Sequence, residues 1–163
     1  MSQLKPVKQF QDIENNRISL KFLFRNKSFT FAQMQQSFTK QERLKKSKLI
    51  AQLFAEGKSI TVFPIKLIYL QIDHQSPYKI QAGVSASKRN FKKAVDRNRI
   101  KRLLREVYRI NKYLIYDSEH TKKHIFMFIY QGKTETDYHT LEEKMKSVLE
   151  KFLQKNKASK IVE

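Results

Sequence analysis

The sequence of 163 residues contains no cysteine, only three glycines and only 15 acidic residues. Without cysteine the chain can form no disulfide bond, thiolate zinc site or cysteine nucleophile. Three glycines are too few for a glycine-rich phosphate-binding loop. No apolar run approaches the roughly 18 residues of a membrane span, and no hydrophobic signal segment opens the chain. We therefore expect a cytoplasmic protein without a membrane span.

Basic residues are abundant instead. The chain carries 34 Lys and Arg residues, which give it a formal net charge of +19 and a pI near 10.1. Such an excess predicts a polyanionic partner, either nucleic acid or an anionic membrane surface. Charge alone does not distinguish the two.

The length and composition predict one folded domain. The hydrophobic fraction is 40%, with 12 Phe and 7 Tyr, which is enough for a hydrophobic core. Residues 1–36 show no sustained period of 2 or 3.6, so a poorly ordered N-terminal extension is expected there. The folded domain is expected at residues 37–156 and a C-terminal tail at 157–163. A chain that starts at Met34 should then fold with nearly the same stability.

Local patterns predict a first helix and a series of strands. The segment from Ser47 to Gly57 has apolar side chains at helical spacing, with Ser47 placed to cap its start and Gly57 to end it. Residues 59–73 are rich in β-branched and aromatic side chains, and Pro64 divides them into a short edge strand and a longer strand. Residues 78–87 indicate another strand, which we expect to form an antiparallel hairpin with the preceding one.

The second half of the chain predicts helix, strand and helix. A basic helix is expected at about residues 94–115. Residues 123–132 are nearly all apolar, which places that strand in the centre of the sheet. An amphipathic helix follows, with Asp137 as its N-cap. The order α-β-β-β-α-β-α predicts a protein of the α+β class, a small two-layer α/β sandwich.

The stretch from Ser85 to Lys112 carries eleven Lys or Arg residues against two acids. At roughly 100° per residue, the apolar side chains of its helix fall within a sector of about 120°, and polar side chains gather in an opposite sector of about 100°. One face should therefore pack on the sheet while the other forms a continuous cationic surface. The apolar sector comprises Ile100, Leu103, Leu104, Val107, Ile110 and Leu114; the polar sector comprises Asn98, Lys101, Arg102, Arg105, Arg109 and Lys112, flanked by Arg97 and Arg99.

Nucleic acid explains this surface better than the alternatives. A solvated helix face normally carries both signs of charge, and like charges alone repel one another. An interfacial membrane helix would need an exposed apolar face, which this helix needs for the core. Arginine can grip phosphate in a bidentate manner and stack on bases. Because the helix is bedded on a sheet, backbone and shape recognition of RNA is favoured over reading a DNA major groove.

The residues also carry a family resemblance. "RNRIKRLLREVYR", residues 97–109, resembles the Arg-Asn-Arg signature of the bacterial ribonuclease P protein component. "ERLKKSKLIAQLFAEGKSI" is similar to the first helix of that family, with its opening Arg-Leu-Lys. "AGVSASKRNFKKAV" resembles the strand and loop before the signature, although its loop lacks a common glycine and is one residue longer. The match runs from about Phe38 to Gln154.

The resemblance implies a function and partners. In this family an RNA subunit is the catalyst and holds the magnesium ions, so the protein alone should bind no cofactor or metal and contain no catalytic residue. The resemblance implies that one protein per RNA binds that RNA and the 5′ leader of precursor tRNA, whose endonucleolytic removal matures the tRNA 5′ end. No membrane is involved. The fold implied is an α/β sandwich with a left-handed βαβ crossover through the signature helix, a handedness that the general rule does not predict.

The resemblance also implies site residues. The catalytic RNA should be contacted by side chains of the signature helix and of the loop before it. The leader should lie in a cleft between the first helix and the sheet, although Ile50 stands where the family usually has Phe. Expected RNA-binding residues are Lys88, Arg89, Arg97, Asn98, Arg99, Lys101, Arg102, Arg105 and Arg109, and expected cleft residues are Ile50, Phe54 and Tyr69.

The acidic residues and histidines of the sequence do not form the patterns that acid–base catalysis requires. A protein nuclease would need clustered acids for two metals or a His pair, and the 15 acids are dispersed along the chain. His120 and His124 straddle a loop that enters a strand, so helical ligand geometry is not expected. His74 in a turn and His139 at a helix start are isolated. A structural RNA-binding protein, such as a ribosome-associated or assembly factor, remains the alternative function, and a DNA-binding regulator is a third class.

Overall fold

A computed structural model describes residues 37–116 and 122–158. The predicted order of elements is confirmed, with one short helix added. The expectations for residues 1–36, for His120 and for most of the C-terminal tail concern residues outside the described ranges. The elements are α1 (Ser47–Glu56), β1 (Lys58–Val62), β2 (Ile65–Gln71), β3 (Ile80–Ala86), α2 (Ala94–Asn111), α3 (Tyr113–Tyr116), β4 (His124–Tyr130) and α4 (Tyr138–Ala158).

The four strands form one mixed sheet in the order β1-β2-β4-β3. Strand β4 is central, as its apolar sequence predicted, and it pairs antiparallel with β2 and parallel with β3. The predicted hairpin between β2 and β3 is wrong. A strand apolar on both faces is best buried between two neighbours, so β4 inserts between them and α2 supplies the long connection that a parallel pair requires. This β3-α2-β4 arrangement is the βαβ unit that the resemblance implies.

The main core lies between the sheet and the helices α2 and α4. Ile100, Leu104 and Val107 of α2 are essentially inaccessible to solvent, which confirms the predicted apolar face. Phe126 of β4 and Phe152 of α4 meet edge to face, with ring centroids 4.8 Å apart. Aromatic packing of this kind adds stabilisation beyond the buried area. One face of the sheet is thereby closed.

Helix α1 packs on the other face of the sheet. Its Leu53 is fully buried against Ile68 and Ile125, in a smaller cluster with Leu44 and Met127. Since α1 has only ten residues, it spans about 15 Å and covers part of that face. The α+β sandwich is therefore closed on one face and partly open on the other.

The predicted helix ends are right in two of three cases. Asp137 caps α4, since its Oδ2 accepts a hydrogen bond of 2.9 Å from the backbone N–H of Thr140. Gly57 ends α1, and a Cβ at this position would lie 2.2 Å from the carbonyl oxygen of Leu53. Ser47 is not the N-cap of α1. Lys46 occupies that position, with no capping hydrogen bond from a side chain.

A buried ion pair joins the segment before α1 to the end of α2. Lys112 was predicted on the cationic surface of the helix, but it is 5% exposed. Its Nζ lies 2.5 Å from Oε1 of Glu42, which is 1% exposed, and also donates a 2.7 Å hydrogen bond to the carbonyl oxygen of Ser37. Helix α2 ends one residue earlier, at Asn111, and the partner comes from a segment 70 residues away. A helical projection of one segment could not include that partner.

We predict that Lys112→Met lowers the free energy of unfolding by about 3–5 kcal/mol, because it leaves the Glu42 carboxylate buried without its cation. Chemical denaturation measures the loss. The control is Lys146→Met, which breaks a partly exposed pair with Glu142 (2.8 Å) and should cost no more than about 1 kcal/mol. Equal stability of the two variants would contradict a structural role for the buried pair. The double variant Glu42→Gln/Lys112→Met should recover part of the loss.

Candidate RNA-binding surface

The face of α2 that points away from the sheet carries four of the predicted RNA-binding residues. Asn98 and Arg102 are exposed, and Lys101 and Arg105 are partly exposed. Within residues 37–116 and 122–158, Lys101, Arg102 and Arg105 form no ion pair. Because their charges are not neutralised locally, this cationic face (Asn98, Lys101, Arg102 and Arg105) attracts a polyanion.

Three other predicted residues have partners within the protein. Arg97 donates hydrogen bonds from Nη1 to the carbonyl oxygens of Phe91 (2.9 Å) and Lys92 (2.7 Å), so it holds the loop before α2. Arg99 lies 3.3 Å from the carboxylate of Glu135 and remains 72% exposed. Arg97 therefore organises the loop before the signature helix, while most of the Arg99 side chain remains open to solvent.

Arg109 is the most neutralised of the predicted cations. Its Nε and Nη2 donate to the two carboxylate oxygens of Glu106 at 2.9 and 2.6 Å. These hydrogen bonds lower the pKa of the Glu106 carboxyl, which therefore stays ionised beside the guanidinium. We expect a smaller contribution to RNA binding from Arg109 than from Arg102 or Arg105.

The loop between β3 and α2 presents Lys88 and Arg89 to solvent on a fixed backbone. Asn90 donates from Nδ2 to the carbonyl oxygens of Gln131 and Gly132, each at 3.1 Å, and Phe91 is buried in the main core. The anchors inside the loop leave its two cations on the outside. The predicted extension of the basic surface is present.

A groove of about 280 Å³ lies beside the cationic face, on the open side of the sheet. Apolar side chains and three cations line it. Arg105 lines the groove and also belongs to the cationic face, so the two surfaces are continuous. The lining residues are Phe38, Arg43, Leu44, Lys45, Ile50, Ala82, Gly83, Val84, Arg105 and Met127.

The three predicted cleft residues separate in the structure. Ile50 lines the groove, and Phe54, one helical turn further along α1, is 54% exposed. Tyr69 is not a cleft residue. It is 9% exposed and its ring meets Phe152 edge to face, 5.1 Å away, on the closed face of the sheet. Successive side chains of a strand alternate between faces, and Ile68 is the neighbour that points towards α1.

The comparisons with known proteins agree. The family model Ribonuclease P matches residues 38–153 of this chain. The chain belongs to the ribonuclease P protein family. The ribonuclease P protein component of Dictyoglomus turgidum is 33% identical over 117 residues, which cover 70% of this chain and 91% of that protein. That of Porphyromonas gingivalis is 44% identical over 80 residues, which span 48% of this chain but only 58% of the relative's own length.

Solved structures support the fold. The ribonuclease P protein from Thermotoga maritima superposes with a TM-score of 0.53 at 24% identity, covering 67% of this chain and 96% of that one. The protein from Staphylococcus aureus gives 0.52, also at 24% identity, covering 67% and 93%. At this identity the likeness is evidence for the architecture alone.

Sequence reasoning missed the part of the groove that precedes α1. The Arg-Leu-Lys that resembles the opening of the family's first helix lies before the helix, and Arg43 forms a bridge to Ala82 at the β3 edge. The Arg43 guanidinium carbon lies 5.5 Å from the centre of the Phe38 ring. The available signal in the sequence was the pair Arg43–Leu44, a cation directly followed by an apolar residue. In the structure Leu44 is buried.

The histidines of this ribonuclease P family member have structural explanations where they are described. His74 is buried and donates from Nε2 to the carbonyl oxygen of His124 at 3.2 Å. Burial lowers the pKa of His124, so its ring is neutral at pH 7. Among the described residues, no three His, Cys, Asp or Glu side chains are grouped to hold a metal ion, and no helix is long and apolar enough to cross a membrane.

We predict that replacing Arg102 and Arg105 together by Ala weakens binding to ribonuclease P RNA and flattens its salt dependence. Each lost phosphate contact lowers the slope of log K against log salt by about 0.7 to 0.9. Binding titrations over a series of salt concentrations measure the slope. Arg109→Ala is the matched control and should change it less, since Glu106 already neutralises that charge. An unchanged slope in the double variant would show that neither arginine meets phosphate.

Proposed function

We propose that this protein is the protein subunit of a ribonuclease P, acting in the cytoplasm on precursor tRNA. It binds the catalytic RNA and the 5′ leader, and it promotes endonucleolytic removal of the leader. The observation that carries the proposal is the position of Arg105, which joins the cationic face to the groove. One protein could then hold two RNA segments side by side, as membership of the family suggests.

The cationic face suits a folded RNA and the groove suits a single strand. Lys101, Arg102 and Arg105 offer charge without local neutralisation, and Arg and Lys contacts to phosphate supply much of the affinity of RNA-binding proteins. Exposed bases would lie against Ile50 in the groove and against the exposed Phe54 one turn further along α1, while the cations of the groove meet phosphates. Stacking on such a surface tolerates any base, which a subunit serving many leaders requires.

The chemistry is assigned to the RNA. Hydrolysis of a phosphodiester needs metal ions or a general acid and base, and the described residues group neither acids nor histidines for that purpose. We infer that Mg²⁺ acts in the holoenzyme through the RNA subunit, and that one protein associates with each RNA. The protein contributes affinity and electrostatic screening between two polyanions.

Reconstitution tests the proposal. The purified protein is added to a bacterial ribonuclease P RNA at low Mg²⁺, and cleavage of a precursor tRNA with a labelled 5′ leader is followed. Stimulated cleavage at the mature 5′ end supports the proposal. Tight binding to the RNA without any stimulation would instead favour the alternative, a structural RNA-binding protein.

We predict that no acid or exposed histidine of the protein is essential for cleavage. Asp96→Asn, Glu106→Gln and His139→Gln should each leave the cleavage rate of the reconstituted enzyme within about tenfold of the wild type, because the protein supplies no general acid or base. The protein without RNA should not cut precursor tRNA. Cleavage by RNA-free protein that disappears with one of these changes would place the chemistry in the protein.

We predict that Phe54→Ala weakens binding of precursor tRNA to the holoenzyme by about fivefold or more, the lower end of what loss of one base-stacking ring costs. Binding of mature tRNA, which has no leader, should not change. Tyr69→Phe is the matched aromatic control and should leave both affinities unchanged, because Tyr69 lies on the closed face. An equal loss of affinity for precursor and mature tRNA would show that Phe54 does not recognise the leader.

A further inference from the structure

One end of the sheet brings three turns together. The Phe63–Pro64 turn joins β1 to β2, and the backbone N–H of Gln131 donates to the carbonyl oxygen of Pro64 at 2.8 Å. Asn90 then ties the loop before α2 to Gln131 and Gly132. Neighbouring strands are about 4.8 Å apart, so the first and third turns are separated by about 10 Å. The three turns form one surface.

Phe63 is the most exposed aromatic side chain among the described residues, at 66%. The residues around Phe63 anchor the turn to the protein, since Pro64 and Ile65 are buried and Val62 packs against the main core. Turns of this kind usually carry Gly, Asn, Asp or Ser at positions that face water. A phenyl ring here contributes little to the fold.

A single exposed apolar side chain would need no explanation on its own. Phe63 differs because the adjoining turns at the same end of the sheet carry exposed cations: Lys88 and Arg89 on the third turn, and Lys133 directly after Gly132. The nearby acid is Glu135, which pairs with Arg99. This end of the sheet therefore combines an exposed aromatic ring with cations that can bind phosphate.

We propose that Phe63 stacks on an unpaired base of the catalytic RNA, with Lys88, Arg89 and Lys133 on the adjoining phosphates. The inference rests on the proposed function, because it assigns a second contact to the same RNA. Lys88 and Arg89 make this surface continuous with the loop held by Arg97 and so with the signature helix. An aromatic platform beside cations is the arrangement that binds single-stranded nucleotides.

A protein partner fits this surface less well. Docking patches on proteins are contiguous apolar areas of several hundred square ångströms and are depleted in charge at their centre. Here a single ring is exposed, and the adjoining turns carry lysine and arginine. The charge complements RNA.

The absence of tryptophan from the chain allows a direct test. Phe63→Trp introduces a single indole, whose fluorescence should be quenched when ribonuclease P RNA is added and the indole stacks on a base. Tyr113→Trp is the matched control. Tyr113 is a partly exposed aromatic at the far end of α2, about 27 Å along the helix from the loop, and its signal should not change.

Affinity gives a second measurement that does not depend on the probe. Phe63→Leu should weaken binding to the RNA subunit by about fivefold or more, whereas Phe63→Tyr, which keeps the ring, should bind like the wild type. Thermal melting of the free variants should be unchanged, since the ring is exposed.

The outcomes are distinct. Quenching at position 63 but not at 113, with weaker binding of Phe63→Leu, supports the inference. Normal cleavage and normal binding with no quenching at position 63 would overturn it while leaving the proposed function intact. Quenching that begins only when precursor tRNA is added would assign the ring to the substrate and also overturn it. Failure of the wild-type protein to stimulate cleavage would contradict the proposed function itself.

Discussion

The buried pair between Glu42 and Lys112 positions the surfaces on which the proposed function depends. It fixes the segment before α1 to the end of α2, and residues 42–44 then add to the edge of β3, where Ala82 N–H donates to the Glu42 carbonyl at 2.8 Å. One wall of the groove is built from this segment. Burying two charges has a large desolvation cost, which close pairing and further hydrogen bonds offset. The contact therefore specifies where the segment lies more than it adds stability.

The small number of acidic residues explains why the cationic face is not neutralised. With 15 acids against 34 bases, carboxylates stand where cations must be held for structural reasons. Glu42 neutralises a buried lysine, Glu106 holds Arg109 and Glu135 meets Arg99. None of these carboxylates pairs with Lys101, Arg102 or Arg105. Their mutual repulsion costs stability in the free protein, and RNA would relieve it on binding.

The sequence was informative where the signal is local or periodic. The helical spacing from Ile100 to Val107 predicted the buried face of α2, the apolar run of β4 predicted its central place, and Asp137 predicted a cap. These features depend on residues within about one or two turns of one another. The family's motifs located the signature helix and its loop for the same reason, since the matching residues are contiguous.

Apart from the N-cap of α1, which lies one residue before Ser47, the errors involve a partner that is distant in the sequence. The parallel pairing of β3 depends on β4, about 40 residues further on, and the burial of Lys112 depends on Glu42. The face occupied by Tyr69 is set by Phe152 of α4. A one-residue shift in strand register exchanges the two faces, so an uncertainty of one residue was enough to misplace that ring.

Division of labour between protein and RNA follows from these electrostatics. A set of carboxylates able to hold catalytic metal ions would repel the phosphates that the protein has to approach. Among the described residues, Lys101, Arg102 and Arg105 of α2 instead form no ion pair, and Arg105 also lines the groove. Under the proposed function, such a surface would lower the repulsion between two RNA molecules and orient a single strand. Under the proposed function, the reacting phosphodiester would lie among phosphate and base ligands of the RNA, which are suited to hard cations such as Mg²⁺.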